Sequence, residues 1–217
     1  LQAAVQELSE PKFRAKQIFN WLHQKRVTDF SEMTTLSLPF RERLASDFCI
    51  NRLKIAKRLA SSVDDTVKYL YELPDGNYVE TVCMQYHHGT SLCISTQVGC
   101  RMGCRFCASA IAGFVRNLTP AEMLLQIYET ERAQNCKISS LVLMGIGEPL
   151  DNFDNVLRFL QLLSDPNGYG MSLRHVTVST CGVVPKILEL AEQRLGLTLS
   201  VSLHCPNDAG RSAIMPI

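Results

Sequence analysis

The sequence predicts an α/β fold: an α/β layer or barrel preceded by a small helical domain and a β-hairpin extension. Three observations predict it. Apolar residues recur at helical spacing within the first fifty residues, the period shifts to two near residue 52, and strand-like and helix-like segments alternate from about residue 92. The domain reading that follows is an N-terminal helical accessory domain at 1–50, a β-hairpin linker or extension at 51–90, and an α/β core at 91–217.

Residues 11–48 carry the helical signals. Pro11 suits a first helical turn, and Ala15, Ile18, Phe19 and Leu22 form an apolar stripe with Lys12, Arg14, Lys16, Lys25 and Arg26 around it. A second helix is predicted from Ser37, with Pro39 in its first turn and Phe40 and Leu44 as anchors. Thr66–Leu73 and Tyr78–Met84 are β-rich runs separated by Pro74-Asp75-Gly76-Asn77, a hairpin signal. Leu92–Gln97 is a third strand, reached through a turn at His87-His88-Gly89.

Beyond this point helices and strands alternate. The helix Thr119–Ala133 opens on a threonine cap, with Pro120 first and Glu122 third, close to a capping box. Strand Ser140–Met144, helix Asn152–Leu163, strand His175–Ser179, helix Pro185–Gln193 and strand Thr198–Leu203 follow. Alternation of this kind implies a parallel sheet. Four such strands are too few to close an eight-stranded barrel, so the chain is expected to be a fragment that stops before its last strands.

Composition excludes several classes. Hydrophobic residues make up 46% and charged residues 20%, values that allow a buried core. No apolar run of about 18 residues is present, which excludes a membrane-spanning helix, and the N-terminus lacks the layout of a signal peptide. Nine cysteines, an odd number with three inside eight residues, suit metal ligation in a reducing cytoplasm better than disulfides. Cys49, Cys136 and Cys181 read as small buried hydrophobes. The net charge of +1 hides an asymmetry: residues 1–60 hold eleven Lys/Arg against six Asp/Glu, the remainder eleven against fifteen. A basic N-terminal block fits a polyanion partner or a solvated helix face.

The chemistry concentrates in Cys100-Arg101-Met102-Gly103-Cys104-Arg105-Phe106-Cys107, a C-x3-C-x2-C pattern. Three close thiolates can hold three irons of a cubane, and no fourth cysteine follows at ferredoxin spacing, so one iron stays open to another ligand. A structural zinc site would need four protein ligands, of which the loop supplies three. Gly145-Ile146-Gly147-Glu148-Pro149 lacks the third glycine of a dinucleotide fingerprint, which excludes NAD binding there. By pattern alone, Ser179 fits a sugar ligand or a helix cap, Cys93 a core thiol, Glu80 a solvated face and His204 a structural histidine.

Cys100–Cys107 followed by Gly113-Phe114-x-Arg116-Asn117-Leu118 closely resembles the dual-specificity RNA adenine-C2 methyltransferases (RlmN type) of the radical S-adenosylmethionine (SAM) superfamily. The likeness runs from about residue 10 to the last residue. It includes Phe13–Ile18, Val27–Phe30, Gly145–Leu150, and Ser202-Leu203-His204-x-Pro206-Asn207-Asp208.

The resemblance implies a partial radical SAM (β/α) barrel, truncated, with a [4Fe–4S] cluster on Cys100, Cys104 and Cys107 and SAM chelated to the open iron. Gly147 and Glu148 would meet its methionyl amino group, and Ser179, Ser202, Leu203 and His204 its ribose and adenosyl parts. The reaction implied is methylation of adenine C2 by radical chemistry, through a methyl-carrying cysteine expected beyond this chain, as is a SAM-contacting asparagine. Cys93 would then help deprotonate the adduct and release product through a disulfide, with Glu80 as a proton acceptor. The partners implied are 23S rRNA near the peptidyl transferase centre, tRNA beside the anticodon and a flavodoxin-like electron donor, for a cytoplasmic monomer with no membrane association. The alternatives are a related adenine-C8 rRNA methyltransferase, in which the proline at Pro149 tends to be replaced, and a non-catalytic metal- or RNA-binding fragment.

Overall fold

A computed structural model describes residues 1–111 and 113–217. These fall into two compact units, Leu1–Arg52 with Leu162–Met171, and Leu53–Gln161 with Ser172–Ile217.

The first unit is helical. It contains α1 (Gln2–Glu7), α2 (Phe13–Asn20) running on into a wider π turn at Trp21–Lys25, a 3-10 turn at Phe30–Glu32, and α3 (Leu38–Asp47). Its core gathers Val5, Ala15, Ile18, Phe30, Met33, Phe40 and Leu44, so the predicted stripe faces inward at Ala15 and Ile18 and the predicted anchors of α3 are buried. Apolar association, rather than propensity, holds helices this short. α1 lies outside the sequence expectation, because six residues show less than two turns of periodicity. The turn at Phe30–Glu32 opens on a complete capping box between Asp29 and Glu32. Pro39 sits in the first turn of α3 as expected, although the Ser37 side chain makes no capping bond. Cys49 departs from the reading as a buried hydrophobe: it is exposed just past α3, where its thiol donates to Asn51 Oδ1 at 3.4 Å. The segment 162–171 joins this unit, with Gln24 Nε2 donating to the Pro166 carbonyl at 3.2 Å.

The second unit is built on one seven-stranded sheet. Its strands are β1 (Lys54–Ala60), β2 (Val67–Glu72), β3 (Tyr78–Tyr86), β4 (Gly89–Cys93), β7 (Ile138–Leu143), β8 (Val176–Thr180) and β9 (Thr198–Val201), side by side in that order. A separate antiparallel pair joins β5 (Gln97–Gly99) to β6 (Phe114–Asn117). The predicted hairpin is β2–β3, closed by the Leu73 N–H on the Asn77 carbonyl at 2.8 Å, with Gly76 at φ +80° where the turn needs a residue without Cβ strain. β4, β7, β8 and β9 pair in parallel, as the alternating pattern predicted. The hairpin continues that same sheet through β3 and β4.

The predicted strand Leu92–Gln97 is divided. Ile94 still bonds to the Val142 carbonyl, but both backbone groups of Ser95 are taken by the Gln126 side chain, at 2.9 Å and 3.0 Å. A side chain thus replaces the neighbouring strand, and the chain leaves the ladder to form β5. β1 and β6 also lie outside the strands named from the sequence; β1, in the region where the period shifts to two, is exposed along its whole length.

The helices of this unit are α4 (Pro120–Gln134), α5 (Phe153–Ser164, its last residues in the first unit), α6 (Val184–Glu192) and α7 (Asp208–Ile214). α4 begins on the predicted capping box, Thr119 with Glu122, and ends at Asn135 in the left-handed region. It covers the hairpin: Tyr71 and Thr130 hydroxyls are 2.9 Å apart, and Thr81 Oγ1 donates to Gln126 Oε1 at 2.8 Å. No helix among the described residues is long and apolar enough to cross a membrane.

Candidate functional site

Side chains alternate across a strand, so register decides which residues share a face. Val82 of β3 pairs with Cys93, Cys93 with Val142, Val142 with Thr177 and Thr177 with Thr198. This row lies opposite the fully buried face that carries Leu92, Leu141, Val176 and Val178. Glu80 lies two residues from Val82, and Ser179 two residues from Thr177, so Glu80, Cys93 and Ser179 occupy one half-buried face of the sheet. The segments holding Gly147 and Glu148 and Ser202–His204 leave the C-terminal ends of β7 and β9, where ligands of such sheets bind, and the cysteine loop lies beyond β4, in the β5–β6 pair.

The three-cysteine loop is the tip of the β5–β6 pair. Cys100 N–H donates to the Gly113 carbonyl at 3.0 Å, which closes the base of the loop. Gly99, at φ +72°, permits this: a Cβ there would stand 1.7 Å from the Gly113 oxygen. Cys107 N–H returns to the Cys104 carbonyl at 3.1 Å, and Arg105 N–H reaches the Ile214 carbonyl at the end of α7, at 2.9 Å. All three cysteines are half-buried. Burial pushes the Cys100 thiol above its ordinary pKa, with Glu148, Cys104 and Cys107 adding to the rise. Burial does the same to Cys104, helped by Cys107. Arg101, next to Cys100, pairs with Asp151 at 2.9 Å and lies 3.9 Å above the Phe114 ring.

The segment after β7 is wedged against the start of that loop. Gly145 donates to the Ile94 carbonyl at 3.0 Å, and a Cβ on it would come within 2.7 Å of the Ile94 backbone, so this glycine serves close approach and is more than a turn residue. Gly147 has φ +105°, and a Cβ there would stand 2.6 Å from Gln97 Cβ. Glu148 is only 4% exposed. Its Oε1 accepts the Leu150 N–H at 3.0 Å and its Oε2 the Cys181 N–H at 2.8 Å. The Cys181 thiol hydrogen-bonds the same carboxylate, which leaves part of its acceptor capacity for a cationic ligand. Asn152 anchors the segment by donating to the Thr96 and Leu118 carbonyls, both at 2.8 Å.

Ser179 is half-buried near the end of β8 and pairs with Ser200. Past β9, Ser202 is half-buried while Leu203 and His204 are exposed. His204 adopts φ +55° and its ring lies 4.5 Å from that of Phe106 in the cysteine loop. Arg211 of α7 donates to the Cys181 and Ser202 carbonyls, tying together the chain beyond β8 and β9. Cys93, the last residue of β4, is raised in pKa by burial, partly offset by the Met144 N–H. Glu80 pairs with Lys68 at 2.6 Å.

Four contributors escaped sequence reasoning. Gln97, Asp151, Arg211 and Cys181 bear on this site through contacts from separate segments, which no local spacing announces. Cys181 is buried as expected, yet it lies close enough to Cys100 and Cys104 for their charges to raise its pKa, after burial and Glu148. Cys83 and Cys136 face one another away from the site, and burial pushes the Cys83 thiol up to about 12.

The donor set suits an iron–sulfur cubane: three soft thiols on one loop, in mutual electrostatic contact. Among the described residues, no three His, Cys, Asp or Glu side chains converge on a single metal ion. A cubane asks less convergence, because each thiolate binds a different iron.

Comparison with known proteins agrees with this geometry. Residues 1–50 match the ribosomal RNA large subunit methyltransferase N-terminal domain, and residues 94–216 match the radical SAM superfamily. A probable dual-specificity RNA methyltransferase RlmN of Lachnoclostridium phytofermentans is 52% identical over 220 residues, covering 100% of this chain and 61% of the relative. That of Clostridium novyi is 50% identical, covering 96% of this chain and 61% of the relative. The crystal structure of a radical SAM methyltransferase from Sphaerobacter thermophilus superposes with a TM-score of 0.91 at 36% identity, over 99% of this chain and 64% of that one. The chain thus spans about 61% of the length of the curated relatives it matches. With the superfamily match extending over 123 residues, from the end of β4 to the penultimate residue, and with a cysteine loop of the right donor set at the expected sheet end, the chain belongs to the radical SAM superfamily.

Proposed function

We propose that this chain is the cluster-bearing portion of an RNA methyltransferase that methylates C2 of adenine in 23S rRNA and in tRNA. One observation carries the reading: a three-thiol loop without a fourth cysteine lies beside a glycine-lined segment with a buried carboxylate, in a chain about 50% identical to proteins named RlmN.

Superfamily membership implies a [4Fe–4S] cluster and SAM. When bound, they would supply one-electron chemistry, which can functionalise an adenine carbon that polar methyl transfer does not reach. Cys100, Cys104 and Cys107 would hold the cluster. Gly147 lets the backbone come close to a ligand, and the Glu148 carboxylate would pair with an ammonium through its remaining lone pairs. Ser179 and Ser202 would bond sugar hydroxyls, with Leu203 and His204 beside the base. Cys93 and Glu80 share a sheet face with Ser179. Cys93, whose pKa burial raises, would help deprotonate the adduct, with the Glu80 carboxylate as a proton acceptor.

Lys12, Lys16 and Lys25 are exposed on the helical unit and would contact RNA phosphates. Arg14 is drawn inward, bonded to Gln17 at 2.9 Å and paired with Glu10 at 3.5 Å. The nine free cysteines suit a reducing cytoplasm.

The test is oxygen-free reconstitution of the 217-residue chain with iron and sulfide, beside Cys104→Ala. The expected result is a brown protein with about four irons and four labile sulfides per chain, lost in the variant. Zinc in place of iron, or equal iron in both proteins, overturns the reading.

A further inference from the structure

Asp151 ties Gln97 and Arg101 to its own segment, 54 residues beyond Gln97. Gln97, with no exposed surface, donates through Nε2 to Asp151 Oδ2 at 2.7 Å and to Asn117 Oδ1 at 2.8 Å. Its Oε1 accepts the Glu148 N–H at 2.9 Å. That backbone group can only donate, so the amide orientation is determined and both Nε2 hydrogens are engaged. On the same Asp151 oxygen lies Arg101 Nε at 2.9 Å, its guanidinium pressed on the Phe114 ring. Asp151 N–H in turn donates to the Glu148 carbonyl at 3.1 Å.

We infer that Asp151 is a positioning residue for the cysteine loop. Gly99, between Gln97 and Arg101, occupies a conformation open chiefly to glycine and pairs with Phe114 at the base of the loop. To that ladder the carboxylate adds a second link, which fastens residues on both sides of the glycine to the Glu148 segment. The loop offered to iron and the carboxylate offered to the cofactor therefore keep one mutual geometry. The partners are a buried amide and a permanently charged guanidinium. The inference rests on the cluster reading above for its purpose, and on the hydrogen bonds alone for its existence.

Amide hydrogen exchange of the cluster-free chain tests it, with Asp151→Ala, Asp151→Asn, Arg101→Ala and Arg101→Lys. Asp151→Ala is expected to speed exchange in residues 98–107 about tenfold, because charge-assisted bonds are lost from a partly buried site, while residues 78–86 of β3 keep their protection. Asp151→Asn, which keeps an acceptor for Gln97, and Arg101→Lys, which keeps the charge, are expected to fall between wild type and the alanine variants. On the reconstituted chain, addition of SAM is expected to alter the electron paramagnetic resonance spectrum of wild type and of Arg101→Lys more than that of Asp151→Ala. Wild-type exchange at 98–107 in Asp151→Ala overturns the inference. A rise spread equally through β3 also overturns it, because it marks general loosening. Failure of wild type to take up iron overturns the cluster reading instead and leaves the exchange result standing.

Discussion

Glu148 Oε2 accepts the backbone N–H of Cys181 at 2.8 Å, joining the loop after β7 to the loop after β8. The other oxygen bonds the Leu150 N–H, so this buried carboxylate is satisfied by two backbone donors. Glu148→Gln sets an NH2 group against one of those donors. The expected cost is about 1–3 kcal/mol, the penalty of an unsatisfied buried polar group, read as a lower urea midpoint at unchanged slope. A midpoint equal to wild type contradicts the joining role.

Gly147 is a steric requirement in two ways. Its φ of +105° disfavours any side chain, and Gln97 fills the space that a Cβ would need. Gly147→Ala should destabilise by about 1–3 kcal/mol. Adding Gln97→Gly removes the side-chain part of the clash, at Cβ and Cγ, but neither the contact with the residue 97 backbone nitrogen nor the backbone strain. The double variant should therefore be less destabilised than the sum of the two single ones, a coupling that a thermodynamic cycle measures.

Thiol reactivity should follow burial. At neutral pH, iodoacetamide is expected to label exposed Cys49 before Cys93 or Cys83. The Cys83 pKa, pushed up to about 12 by burial and then by Cys136, also makes a pH prediction. A folded-state value above the unfolded one stabilises below the unfolded pKa. That contribution is lost as pH rises from the ordinary thiol value towards 12. Relative to wild type, Cys83→Ala should show a shallower loss of stability above about pH 9, by up to about 1.4 kcal/mol per pH unit. Parallel curves would show that Cys83 does not titrate in this way.

RNA affinity should depend on salt through the helical unit. Replacing Lys12, Lys16 and Lys25 with alanine is expected to weaken binding to an rRNA fragment or a tRNA without regard to sequence. The slope of log affinity against log salt should fall by about 2, given about 0.7–0.9 per phosphate contact. An unchanged slope would place the phosphate contacts elsewhere.

Local grammar was readable wherever a signal sits inside one short window. The capping box at Thr119 and Glu122, the hairpin turn at Pro74–Asn77 and the inward Ala15 and Ile18 all depend on neighbours a few residues apart, and the parallel run from β4 to β9 was announced by the local alternation of strand and helix. The division of the strand after Cys93 was not readable, because the Gln126 side chain that ends it arrives from a helix thirty-one residues away. β1 falls where the period shifts to two but was not singled out as a strand: it is exposed on both faces, so no buried apolar face marks it.

By itself the sequence determined the reactive parts: three thiols at C-x3-C-x2-C spacing, a glycine-rich segment with one carboxylate, and strand-end serines. Their assembly was decided by the tertiary structure, because strand register, antiparallel from β3 to β4 and parallel from β4 to β8, put Glu80, Cys93 and Ser179 on one face, and a long-range ion pair joined Asp151 to Arg101. Spacing along a chain encodes which donors occur within a turn or loop. The bonds that orient them run between segments tens of residues apart, and only folding brings those together.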